Sequence, residues 1–203
     1  MKTATIFDCE FLCAEGSQRR FWCGPQDPDP VVVQIGAVKL GLEGSFEIVD
    51  TQCLYVQPLD RSGKAQQPDP FFTRLTGVGE EILAREGQPL AQALDALDRF
   101  SEGARFWSWG KDELNMIAIS CYIEGIAPPI TADRFSNAVH LMVAANMPAE
   151  DIVKTPSSAL SAYFQIGHPP LRAHDARDDA LSLAYALQHL LRVGRLRAED
   201  FER

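Results

Sequence analysis

Positive charge is scarce in this chain. Nineteen Lys and Arg face 28 Asp and Glu, a formal net charge of −9 at pH 7, which argues against a long basic groove gripping duplex nucleic acid through many phosphate contacts. No apolar run approaches the roughly 20 residues of a membrane-spanning helix. Met-Lys-Thr-Ala-Thr leads directly into a β-branched segment rather than a signal peptide; a soluble, cytoplasmic protein with no membrane partner is expected. The five cysteines, at 9, 13, 23, 53 and 121, are odd in number and form no C-x-x-C pair, so they read as reduced thiols, mostly buried. There is no internal repeat. At 203 residues and 46% hydrophobic, a single domain over 1–203 with a full core is expected, ending in a charged, loosely held tail at 194–203.

What is present is a scatter of acidic residues in a suggestive order. Thr3 to Phe7 is apolar and β-branched enough for a buried strand, and side chains two apart on a strand share a face. Asp8 and Glu10 therefore project together from its end, about 7 Å apart at Cα. Taken alone, D-x-E suits either an acidic strand end in solvent or a pair sharing a cation, with oxygen ligands favouring Mg²⁺ or Mn²⁺ over zinc. His174 and Asp179 are five residues apart; on one continuous helix they would diverge by about 140°. They converge only if His174 lies in a loop and Asp179 in the first turn of the helix that follows. Pro169 and Pro170 keep the approach extended, Asp175 is a good N-cap, and Ala176, Ala180, Leu183, Leu187 and Leu190 or Leu191 mark an apolar stripe ending at Gly194. The histidine is then placed like a general base; a capped surface helix with a stray histidine is the other reading. Asp112 follows a short apolar strand, Arg105 to Trp109, and a glycine. Open α/β sheets place their sites just there, although a first-turn carboxylate also serves the helix dipole.

DCEF (Asp8, Glu10), WSWGKDELNMI (Asp112) and HDARDDA (His174, Ala176, Asp179) resemble, in order, the three motifs of the DEDDh 3′→5′ exonucleases, which include proofreading subunits, ribonuclease T and small RNA-trimming nucleases. VVQIGAVKL resembles that family's second strand, and TRLTGV, Thr73 to Val78, its T-G-[IV] segment. The resemblance runs from about residue 3 to about residue 192 and implies an α/β, ribonuclease-H-like fold. It implies two divalent cations, Mg²⁺ or Mn²⁺: Asp8 bridging both, Glu10 and Asp179 completing one, Asp112 supporting the other, with His174 as base. It further implies a nucleotide pocket that includes Phe11, Leu12 and Thr76, although many members carry threonine where this chain has Leu12. The expected substrate is the 3′ end of single-stranded RNA or DNA, released as nucleoside 5′-monophosphates. Four of the acids then belong to the metal site, and only a few nucleotides are held. A metal-dependent phosphohydrolase of small nucleotides and a weakly active binding protein of the same fold are the alternatives.

The periodicities predict strands at 3–9, 31–40, 46–56, 105–109 and about 131–135, a mixed five-stranded sheet flanked by helices near 74–85, 89–100, 111–124, 136–146, 156–164 and 176–193. Pro89 is expected to open its helix at the first position. Residues 57–72 read as a loop. Residues 14–30 combine Arg19 and Arg20 with Phe21 and Trp22, which suits a single strand through phosphate contact and stacking; a surface connection whose aromatics tuck against the sheet is the favoured reading. Of Trp107 and Trp109, which flank Ser108 on one strand, one is core and Trp109 is assigned to the cleft. His140, His168 and His189 have no metal-site spacing, and Asp175 and Asp178 read as cap and support.

Overall fold

The computed structural model describes residues 2–110 and 112–202; Lys111 and Arg203, the expected ends of a helix and of the tail, lie outside them. Strands β1 (Thr3–Phe11), β2 (Val32–Gly41) and β3 (Ile48–Val56) form an antiparallel meander. Helices α1 (Pro70–Thr76) and α2 (Glu80–Glu86), strand β4 (Gly87–Gln88) and helix α3 (Leu90–Ser101) follow. Next come β5 (Phe106–Ser108), α4 (Asp112–Glu124), β6 (Phe135–Asn137), α5 (Val139–Ala144), α6 (Ala149–Lys154), α7 (Leu160–Tyr163) and the long α8 (Ala176–Arg192). The sheet order is β4-β3-β2-β1-β5-β6, with β5 parallel to β1 and to β6. The fold is the expected mixed α/β sheet flanked by helices, but with six strands rather than five. The extra strand, β4, is only two residues long beside β3, too short to carry a period.

Alternation along β1 decides the layers. Ala4 and Ile6 pack with Val38, Leu40 and the α8 residues Leu183, Leu187 and Leu190. Phe7 points the other way, into Leu90, Leu94 and Leu97 of α3 and Ile117 and Cys121 of α4. Asp8 and Glu10 have the parity of Ile6, so both carboxylates emerge on the α8 face. Across the ladder Asp8 pairs with Gly36 and Glu10 with Gln34, and a bulge between Glu10 and Phe11 ends the pairing next to the acids.

Gly36 sets how close α8 can come. A Cβ there would lie 2.1 Å from Arg177 N and 2.2 Å from the Ala176 carbonyl carbon, so only glycine admits the first turn of α8 onto the strand. Gln34, fully buried, clamps the same turn: its Oε1 accepts from Ala176 N–H at 3.2 Å and its Nε2 donates to Asp175 Oδ2 at 3.2 Å. Asp175 is the expected N-cap, accepting from Asp178 N–H.

Several expectations are corrected. Helix α1 starts inside the expected loop 57–72, because Asp69 caps it by accepting from Phe71 N–H and Pro70 fits its first position. Glycine 77, at φ +79°, then separates α1 from α2. Pro89 is the N-cap residue and not the first helical one. The helix expected at 136–146 is strand β6 and the shorter α5, that at 156–164 is a 3₁₀ turn plus α7, and α6 was not anticipated. The 194–203 tail is not loose over its described part: Leu196 and Phe201 are buried, and Phe201 meets Trp107 edge-on at 5.5 Å. Of the cysteines only Cys9 and Cys121 are buried, and Cys23 is exposed. No helix among the described residues is long and apolar enough to cross a membrane.

Replacing Gly36 with alanine forces α8 away from β2. The expected cost is about 1–3 kcal/mol of stability, as for overpacking elsewhere, measured as a lower urea midpoint at an unchanged m-value.

Candidate active site

The acids of β1 and the first turn of α8 open into one cleft of about 870 Å³, lined among others by Asp8, Glu10, Phe11, Trp109, Asp112, Glu113, His174 and Asp179. Within it, one ligand atom each from Glu10, His174 and Asp179 lie within 4.8 Å of one another. His174 sits in the loop before α8 at φ +61°, a left-handed conformation costing about 1–3 kcal/mol for a non-glycine residue. Its N–H donates to Asp179 Oδ2 at 3.3 Å, which ties the loop to the helix carboxylate. Asp178 accepts from Arg172 N–H at 2.9 Å and from the Arg177 guanidinium, so it braces that loop. Asp112 opens α4 on the cleft wall and is exposed; it stands outside the tight Glu10, His174 and Asp179 group.

The carboxylates destabilise one another as charges. Burial, then the charges of Glu113, Glu10 and Asp179, push Asp8 well above the usual carboxylate range. Burial and the neighbouring Asp179 and Asp175 push Glu10 up to about 8, against a small opposing pull from Arg172. Asp179 is pushed up to about 7, by burial first, although the His174 N–H holds it down. A crowd of acids with no cationic side chain among its described members is stable only with protons or with metal ions. Hard oxygens with one imidazole fit a divalent cation such as Mg²⁺ or Mn²⁺.

Glu113 escaped the sequence reading. It is buried in the first turn of α4, its Oε2 has no hydrogen-bond partner among the described residues, and it exerts the largest repulsion on Asp8. Burial raises it to about 7, partly offset by its own backbone N–H and the Ser108 hydroxyl. The only available signal was its adjacency to Asp112. The cleft wall also takes Phe71 and Leu75 from α1 and Ser157 and Ser158 from the turn before α7; of these only Leu75 falls in a motif the sequence offers, TRLTGV.

The residues expected around the nucleotide divide. Phe11 and Trp109 line the cleft, half-buried. Leu12 is core, packed with Val33 and Phe72. The buried Thr76 hydroxyl donates to the Phe72 carbonyl and accepts from Val78 N–H, closing α1. Neither side chain reaches the cleft. Thr-Gly-Val instead forms a turn against the Arg172 side chain, which comes within 2.1 Å of where a Gly77 Cβ would lie.

Similar folds are known. The nuclease domain of 3'hExo, a DEDDh family member solved bound to rAMP, superimposes with a TM-score of 0.76 over 96% of this chain and 94% of that one, at 20% identity. The chain has the DEDDh exonuclease fold. Cell-death related nuclease 4 (CRN-4) shares it at a TM-score of 0.70 and 18% identity, over 95% of this chain and 64% of that chain. A zinc-bound E. coli ExoI–ssDNA complex does so at 0.64 and 15% identity, over 99% of this chain and 42% of that chain. No protein-family model matches the sequence, and no curated protein matches it.

The raised carboxyls have a consequence for the metal-free protein. Groups whose folded pKa exceeds the unfolded one contribute stability present below the unfolded value and lost as pH rises through the folded value. With Glu10 near 8 and Asp179 and Glu113 near 7, melting in EDTA is expected to drop from about pH 5 to about pH 9. Saturating Mg²⁺ or Mn²⁺ is expected to remove most of that drop; scanning calorimetry across the range checks both.

Proposed function

We propose that this chain is a metal-dependent 3′→5′ exonuclease, releasing nucleoside 5′-monophosphates from the 3′ end of single-stranded RNA or DNA. The observation that carries this reading is the meeting of Asp8, Glu10, His174 and Asp179, from opposite ends of the chain, in one cleft whose acids repel one another. The shared fold supports it, since 3'hExo was solved with rAMP and exonuclease I with single-stranded DNA.

Asp8, Glu10 and Asp179 would hold two divalent cations, with Asp112 reaching in from α4. Such ions lower the pKa of an attacking water and stabilise the leaving 3′ oxygen. A ring nitrogen of His174 takes the proton as the water oxygen bonds to phosphorus and the ester bond to the 3′ oxygen breaks. A neutral imidazole has one ring nitrogen free to accept that proton. The left-handed backbone and the N–H bond to Asp179 keep the ring beside the carboxylates. Phe11 and Trp109 supply apolar walls for the terminal base and sugar. Gln34 and Gly36 act one step back, by placing the turn that carries Asp179.

The low positive charge of the cleft favours one other reading, hydrolysis of small nucleotide esters. Among its described lining residues only Arg19 and Arg20 are basic, and Arg20 is paired with Asp27.

A 5′-labelled single strand of RNA and its DNA equivalent, incubated with Mg²⁺, Mn²⁺ or EDTA, separates the two. Shortening from the 3′ end that EDTA and Asp8→Ala abolish is expected. His174→Ala should lower kcat by about 10²–10⁴-fold, the usual worth of a general base. Hydrolysis of a chromogenic nucleotide ester with both polymers intact would sink the exonuclease in favour of the small-substrate enzyme.

A further inference from the structure

The loop between β1 and β2 is far from slack. Asp27, whose side chain is 1% exposed, anchors it by accepting from the Ser17 hydroxyl at 2.8 Å, Gly24 N–H at 2.8 Å and the Arg20 guanidinium at 2.6 and 3.2 Å. Trp22 tucks inward, its Nε1 donating to the Leu12 carbonyl at 2.8 Å, as expected of a surface connection. Its neighbours do the opposite. Phe21 is 83% exposed, and both Phe21 (φ +53°) and Trp22 (φ +52°) are left-handed, a conformation each holds at a cost of about 1–2 kcal/mol. Arg20 and Trp22 line the cleft, and Phe21 stands between them in the chain with its ring in solvent. Arg19 lines the cleft and makes no ion pair among the described residues, unlike Arg20.

The position matters because the other arginine among the described lining residues, Arg20, is paired with Asp27. Asp8, Glu10, Asp112, Glu113 and Asp179 line the cleft, as do the uncharged Pro156, Ser157 and Ser158. Among the described lining residues Arg19 is the one arginine without a carboxylate partner, so its rim offers a phosphodiester backbone a free positive charge.

We propose that Arg19 and Phe21 form a nucleotide subsite at the cleft rim, which holds the single strand upstream of the scissile phosphate, Arg19 pairing with a phosphate and Phe21 stacking on a base. The inference rests on the exonuclease reading and adds what that reading lacks, a grip on polymer as distinct from mononucleotide. Stacking is indifferent to base identity because each base presents a π-face, so the subsite selects single strands without selecting sequence. Its partner on the loop, Arg20, is a positioning residue: bound to Asp27, it keeps the tip in shape.

The test compares two substrates of the full chain, a single-stranded decanucleotide and the p-nitrophenyl ester of thymidine 5′-monophosphate. Phe21→Ala is expected to raise the ratio of decamer KM to ester KM by about 5- to 100-fold, the range seen for loss of one base stack, with decamer kcat within about twofold. Phe21→Trp should restore the ratio. Arg19→Gln should weaken decamer binding and flatten the dependence of log KM on log salt by about 0.7, one phosphate contact on a single strand. An unaltered KM ratio in both variants overturns the subsite while leaving the exonuclease standing. A wild type that cleaves neither substrate overturns the exonuclease instead. Fluorescence anisotropy of a labelled single strand then still decides the subsite: weaker binding by Phe21→Ala sustains it, and equal or absent binding rejects it.

Discussion

The contact between the first turn of α8 and the bare backbone of β2 at Gly36 is the constraint on which the site depends. Strand β1 supplies two carboxylates on one face by alternation alone, but they become a site only when a third arrives on that face. Asp179 arrives because β2 has no side chain at Gly36 and because Gln34 meets both the N-cap side chain and the first N–H of the helix. The buried amide offers a donor and an acceptor in one plane, and both are used. A clamp of this kind fixes the helix along its axis as well as toward the sheet, and the His174 loop inherits that position through its bond to Asp179.

The price of this arrangement is electrostatic. Asp8, Glu10, Asp179 and Glu113 are brought together in a partly buried cleft where, among the described residues, none forms an ion pair, and each is displaced upward from the carboxylate range. Folding energy elsewhere bears that strain: two apolar layers on either side of the sheet, one led by α8 and the other by α3 and α4. The same logic extends to backbone geometry, with left-handed residues at His174 and Trp22 on the cleft and at the exposed Phe21 beside Trp22 in the chain. Strain and repulsion gather where binding would relieve them.

The net negative charge is compatible with the proposed action on a 3′ end if binding is local. A 3′ end presents a few phosphates, and metal ions can meet the scissile one without a lysine-rich groove. Arg20 shows why counting arginines would mislead, since its charge is spent on Asp27 inside the loop, while Arg19 one residue earlier is free to face the cleft. No periodicity distinguishes the two.

Strong local patterns were legible in the linear chain: the run at Thr3 to Phe7, the capped stripe from Asp175 to Leu191 and the apolar run expected as a strand at 31–40 all correspond to elements near their expected bounds. Short elements were not, because β4, α5, α6 and α7 have two to six residues, too few to show a period against background. Within the site, the sequence by itself determined which acids share a strand face and that His174 must precede its helix, since both follow from the fixed geometry of strands and helices. The tertiary structure alone decided that Thr76 and Leu12 turn inward, that Glu113 joins the acids while Asp112 stays exposed, that Phe201 seals the end of the chain against Trp107, and that Phe21 faces solvent. These outcomes depend on which surfaces meet across long separations in the chain, and a side chain's neighbours across such distances leave no mark on the residues beside it.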